Sequence, residues 1–325
     1  MQAVLDQLAA LNGKPIEHLT PQAARQQPSP ADAVRELLKL RGQSGAPEPV
    51  ARVMDCSFPG PGGEIALRIY TPTGQGPFPV ILYIHGGGWV IGNLDTYDSS
   101  PRALANATRA VVVSTHYRLA PEHPFPAAHE DTYACYLWIL ANAASFDGDP
   151  LRVAVVGESA GGNMAAAISL RAREQQVALP SHQVLIYPVA GADMETPSFR
   201  ENANATPLNG AMMKWFARHE FQGSHDTKDS RFDLLHADLR GLPETTVILA
   251  EIDPLRSGGE LLVNRLREAG VKVDDKLYTG VTHEFFGMGA VLAEGRDATQ
   301  LAANNIVTAF NLGGRRMPER SRRFP

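Results

Sequence analysis

The chain predicts an α/β architecture: a mostly parallel central sheet with helices on both faces and a helical cap. Three observations carry that expectation. Nearly continuous Val/Ile/Leu runs such as "VILYI" (80–84), "AVVV" (110–113) and "VAVV" (153–156) suit strands buried on both sides. From residue 78 onward, helix-patterned segments alternate with these runs. One interval of some 55 residues, between Val189 and Thr245, holds "GAMMKWFARHEF" but no strand-like run, and reads as an insertion.

Taken in order, Val4, Leu5, Leu8 and Leu11 repeat at helical spacing, as do Val34, Leu37 and Leu38, with a Pro/Gln-rich loop between. Two short amphipathic helices cannot build a core alone, so residues 1–45 must lie on something else and are expected to form part of the cap. "ARVMDCSF" and "EIALRIYTP", separated by "PGPGG", signal a β-hairpin. Strand "FPVILYIHGG" follows, then a helix near Tyr97–Thr108, strand "AVVVSTHYR" and a helix from about Ala127 to Ala144. "RVAVVGES" is a strand running into a helix after Ser159, and "HQVLIYPV" is the next strand. After the insertion come strand "TTVILAEID", helix "GGELLVNRLREAG", strand "VDDKLYTG" and a closing helix near Ala290–Phe310. The expected division is a main domain of 46–189 and 241–312, a cap insertion of 190–240, and a disordered basic tail of 313–325.

Composition narrows the function. A chain of 325 residues with 44% hydrophobic and 20% charged side chains can bury a sizeable core. A formal net charge of −5 gives no reason to expect nucleic-acid binding. Cys56 and Cys135 sit in apolar contexts, too few for a disulfide framework. The start "MQAVLDQLAALNGK" is a poor signal peptide, and no apolar run approaches the ~18 residues of a membrane span, so a soluble cytoplasmic protein is expected. No internal repeat, metal-ligand spacing or nucleotide-binding glycine loop occurs, and neither metal nor cofactor is expected.

Four expected strand ends carry reactive groups, where ligands of open α/β sheets gather. "HGGGW" (85–89) places three glycines after a strand, leaving backbone N–H groups able to approach a negative oxygen. In "GESAG", Gly157 and Gly161 flank Ser159 at G-x-S-x-G spacing, and Ala160 adds an N–H at a helix start. Ser159 as a plain helix N-cap is the competing reading of that turn. Asp253 ends "VILAEID", and His283 follows "KLYTG". A serine hydroxyl is a weak nucleophile until a histidine accepts its proton, and a buried carboxylate holds that histidine's tautomer. The order Ser, Asp, His is the α/β-hydrolase order. His116, His123 and His129 sit in a strand or a proline-rich loop, His182, His219, His225 and His236 follow no suitable strand, and Asp193 and Asp233 end none.

"HGGGWVIGNLDTYD", "YRLAPEHPFPAA", "GESAGGNMAAA", "EIDPLR" and "THEF" together resemble the hormone-sensitive-lipase family (bacterial family IV) of carboxylesterases, over about Phe78–Gly289. The resemblance implies the α/β-hydrolase fold, a Ser159–Asp253–His283 triad, and an oxyanion hole among Gly86, Gly87 and Gly88 with Ala160. It also implies a cap over an acyl pocket, a small ester substrate, and room for a homodimer. Two departures stand out: Glu158, where much of the family has aspartate, with little expected consequence, and Ser257, expected to loosen the helix after "DPLR". Trp89, Met212, Met213, Trp215 and Phe216 are the candidate apolar lining, favouring short to medium acyl chains, with plain packing inside the cap as the competing reading of the Met and aromatic cluster. An amide, formamide or carbamate would use the same triad. A non-catalytic receptor, the remaining class on this fold, is disfavoured because all three triad positions are filled.

Overall fold

A computed structural model of the chain describes residues 1–223 and 226–313. The tail expected at 313–325 lies outside them, apart from Gly313, which ends the last helix.

Eight strands form one sheet: β1 (Arg52–Gly60), β2 (Gly63–Thr71), β3 (Phe78–Ile84), β4 (Val111–His116), β5 (Gly148–Glu158), β6 (Gln183–Ile186), β7 (Thr245–Ile252) and β8 (Val273–Thr282). Their spatial order is β1-β2-β4-β3-β5-β6-β7-β8. The β1–β2 hairpin is antiparallel and joins the sheet by antiparallel pairing of β2 with β4; every later pairing is parallel. The helices are α1 (Gln2–Ala10), α2 (Pro21–Ala24), α3 (Pro30–Leu40), α4 (Ser99–Thr108), α5 (Ala127–Asn142), α6 (Ala160–Glu174), α7 (Pro197–Glu201), α8 (Gly210–Phe221), α9 (Arg256–Glu268) and α10 (Ala293–Gly313).

The unbroken apolar runs follow from burial on both sides. Val80, Leu82 and Ile84 of β3 point into one layer with Tyr136, Met164 and Leu262 of α5, α6 and α9. Their neighbours Ile81 and Tyr83 point into the opposite layer with Leu104 and Ile306 of α4 and α10. Each fully buried Val or Leu contributes about 1.5–3 kcal/mol, and alternation lets one strand supply both layers.

Residues 1–45 divide between two surfaces. α1 and α3 place Val4, Val34 and Leu37 in the layer of α4 and α10, beside Phe285 and Met288. The segment read as a loop holds a 3₁₀ turn (Ile16–His18) and the single-turn α2, capped by Thr20 Oγ1, which accepts from Ala23 N–H at 3.3 Å. Elements this short carry no periodicity. Ile16 and Ala24 form a third cluster with Leu208, Trp215 and Phe216 of the 190–240 interval. That interval contributes α7 and α8 and no strand among its described residues.

The helix start at Ser257 is not loose. Ser257 N–H donates to Ser198 Oγ at 2.9 Å and Ser198 N–H donates to Ser257 Oγ at 3.1 Å, tying α9 to α7. Cys135 is buried, Cys56 half-buried, and both are free thiols. No helix among the described residues is long and apolar enough to cross a membrane.

Candidate active site

Ser159 sits between the last residue of β5 and the first of α6, with φ 57° and ψ −116°. A side chain held in such backbone costs about 1–3 kcal/mol and persists only where its surroundings enforce it. Here Ser159 N–H donates to Ile186 O at 2.8 Å, while Ser159 O accepts from Asn163 N–H and Val189 N–H, both at 3.2 Å. The flanking glycines are steric requirements: a Cβ on Gly157 would lie 2.0 Å from Gly161 O, and one on Gly161 would lie 2.1 Å from Ile84 O. The Ser159 side chain makes no capping bond to α6, so the turn does not use it as an N-cap.

Asp253 directly follows β7 and His283 directly follows β8; both are buried. Their contact is a 2.7 Å hydrogen bond between His283 Nδ1 and Asp253 Oδ2. The other carboxylate oxygen, Oδ1, accepts from Leu255 N–H at 2.8 Å. The Tyr187 ring packs on the imidazole with centroids 4.4 Å apart. Ser159 and His283 line the same cavity, of about 540 Å³. No hydrogen bond joins Ser159 Oγ to the imidazole among the described residues; such bonds are often long before substrate arrives.

Around this pair lies a buried acidic layer. Burial, then the neighbouring Glu284 carboxylate, push Glu158 up to about 7, against the hydrogen bonds that Tyr83 (2.5 Å) and Tyr187 donate to it. Glu284 accepts from Tyr97 OH at 2.8 Å, and its Oε1 lies 4.0 Å from His283 Nε2. Burial alone would depress the imidazole, but the charge and hydrogen bond of Asp253, then Glu284 and Glu158, leave it raised above its ordinary value. A histidine acting as general base works only when neutral, so activity is expected to fall as pH drops through that raised value. Glu284→Gln removes one raising charge and is expected to move the acid limb of kcat/KM to lower pH; a full pH–rate profile of both proteins checks this. These surroundings of Glu158 arise only from the tertiary approach of Tyr83, Tyr187 and Glu284.

Gly87 and Gly88 line the cavity, and among the described residues their N–H groups and that of Ala160 donate to no protein acceptor. Gly86 does not line it. It packs against the serine turn, and its carbonyl is hydrogen-bonded to His85 Nδ1 (2.8 Å) and Tyr117 OH (3.0 Å). Trp89, Met212, Met213 and Phe216 line the cavity. Trp215 does not: it faces the N-terminal segment, donating from Nε1 to Leu19 O at 3.2 Å and packing edge-on against His219. Helical spacing shows that Trp215 and Phe216 point apart, but not which of them faces the cavity. Residues of the N-terminal segment, among them Ile16, Glu17, Arg25 and Pro28, form a wall of the cavity, and the sequence pattern singles out none of the four as lining. His116 also reaches the cavity, but its Nδ1 pairs with His85 Nε2 at 3.3 Å rather than with a carboxylate. Asp233 is hydrogen-bonded to His236 Nδ1 at 2.8 Å, and Asp193 is exposed. No cluster placed to hold a metal ion occurs among the described residues.

A family model described as an alpha/beta hydrolase fold matches residues 81–287. The chain is also 39% identical over 241 residues to carboxylesterase NlhH of Mycobacterium tuberculosis, spanning 73% of this chain and 76% of that one. The chain belongs to the hormone-sensitive-lipase family of carboxylesterases. This α/β-hydrolase is 34% identical over 238 residues to an ethyl acetate hydrolase of Pseudomonas putida, covering 72% of its own length and 75% of the relative's. In three dimensions, the hydrolase superposes on a hyperthermophilic esterase from Pyrobaculum calidifontis with a TM-score of 0.86 at 37% identity. That match covers 94% of this chain and 96% of the other.

Proposed function

We propose that the enzyme cleaves short- to medium-chain carboxylic esters through an acyl-enzyme formed on Ser159. One observation carries the reading: His283, held by a 2.7 Å hydrogen bond to the buried Asp253, and the strained Ser159 open together onto one cavity. Ser159 Oγ attacks the acyl carbon as its proton passes to His283 Nε2. The carbonyl oxygen becomes an oxyanion facing the N–H groups of Gly87, Gly88 and Ala160. Collapse breaks the ester C–O bond, and the imidazolium returns its proton to the leaving alkoxide. Water then attacks the acyl carbon by the same relay, releasing the acid and restoring Ser159.

Residues 1–45 and 190–240 act together as the cap. Ile16, Leu208 and Phe216, packed in one cluster, support this, as does their shared position around the cavity. An apolar chamber of about 540 Å³ suits short and medium acyl chains. The test is kcat/KM across p-nitrophenyl acetate to palmitate, together with mass spectrometry of protein treated with a phosphonate ester. Activity is expected to peak at short or medium chains, with one phosphonyl adduct on the peptide carrying Ser159. Activity rising toward palmitate, or an adduct elsewhere, would refute the reading.

A further inference from the structure

Arg25, between α2 and α3, ties three parts of the chain together. Its Nε donates to Val90 O at 2.8 Å, and one terminal nitrogen donates to Ala120 O, also at 2.8 Å. The terminal nitrogens also bind both oxygens of Glu122, at 2.9 and 2.6 Å, and Gln22 supports the same carboxylate at 2.8 Å. The fork reaches past its carboxylate to two backbone carbonyls, more than an ordinary surface ion pair requires.

Val90 closes the turn that begins at Gly87. Gly87 O accepts from Val90 N–H at 3.0 Å and from Ile91 N–H at 2.9 Å, while Gly88 and Trp89 both take left-handed backbone, with φ 57° and 62°. For a bulky indole residue that conformation is strained and must be held from outside. Two contacts hold it: Ala120 N–H donates to Trp89 O at 3.0 Å, and Arg25 Nε donates to the next carbonyl. Arg25 also grips Ala120 O, so both braces pass through one guanidinium.

We propose that Arg25 is a positioning residue: by holding Val90 O and Ala120 O it aims the Gly87 and Gly88 N–H groups at the oxyanion. It couples docking of the N-terminal segment to the electrostatics of the transition state. The inference rests on the oxyanion role proposed above.

Arg25→Lys keeps the charge and can meet Glu122, but a single ammonium cannot brace the two carbonyls in the same fork. On p-nitrophenyl butyrate, this variant and Arg25→Ala are expected to lose about tenfold or more in kcat, with KM within about threefold. The Ki of a trifluoromethyl ketone, whose serine adduct carries an oxyanion, should rise by the same factor, while that of the matching alcohol product stays put. Added guanidinium should restore part of the Arg25→Ala rate. Wild-type kcat in Arg25→Lys overturns the proposal, as does a rise in KM alone or a loss of kcat with no change in the ketone Ki. If Arg25→Ala does not fold, Arg25→Lys decides. Undiminished activity in Ser159→Ala would instead sink the reading on which the inference rests.

Discussion

Ser159→Ala is expected to lower kcat by on the order of 10⁶-fold while leaving the fold intact. Ser99 and Ser100 also line the cavity, but among the described residues Ser159 alone stands at the strained turn, which is shaped by Gly157, Gly161 and backbone bonds that alanine leaves untouched. KM should change little, because the cavity walls remain. Thermal unfolding should stay within a few degrees of the parent, since Oγ makes no capping bond to lose. Because the relay acts as one unit, adding His283→Ala to Ser159→Ala should cost almost nothing further. Initial rates at high enzyme concentration, with thermal melts of each variant set against the parent, check both statements. Residual activity within a hundredfold of the parent would place the nucleophile elsewhere.

Asp253→Asn is expected to cost about 10⁴-fold in kcat at neutral pH. The second partner of that carboxylate decides the outcome. Leu255 N–H donates to Oδ1 at 2.8 Å, so the amide oxygen of asparagine must stay there and its NH₂ must face His283 Nδ1. The ring then has to accept at Nδ1 and carry its proton on Nε2, which leaves it unable to take the serine proton. The variant also loses the largest influence raising the imidazole pKa, so its acid limb should move to lower pH even as the plateau falls. Stopped assays on p-nitrophenyl butyrate across the pH range measure both quantities. A loss below about tenfold would mean that the carboxylate does not set the tautomer.

The sheet was legible because burial on two sides leaves an unmistakable apolar run, and a parallel sheet puts the residue after each strand on the same edge. By that rule the sequence alone points to Ser159, Asp253 and His283, with the "HGGG" turn beside them. The missed features all depend on docking. Glu158 looked like a conservative variant, yet in the fold it accepts from Tyr83 and Tyr187 and lies near Glu284, residues far away in the chain. Trp215 looked like pocket lining, but α8 turns it toward Leu19. Arg25 stood in a Pro/Gln-rich stretch with no periodic pattern, so nothing local announced that its guanidinium reaches Val90. Ser257 looked like the loss of a helix-starting acid; its partner, Ser198, lies in the insertion.

The docking of residues 1–45 on α8 and on the turn around Phe285 also bears on synthesis. A ribosome releases this segment well before its docking partners, α8 and the turn around Phe285. Until then its leucines and valines have nowhere to bury. A nascent chain of this kind is a natural client for a holding chaperone, and a stalled or shortened transcript would leave sticky helices exposed rather than a smaller working catalyst.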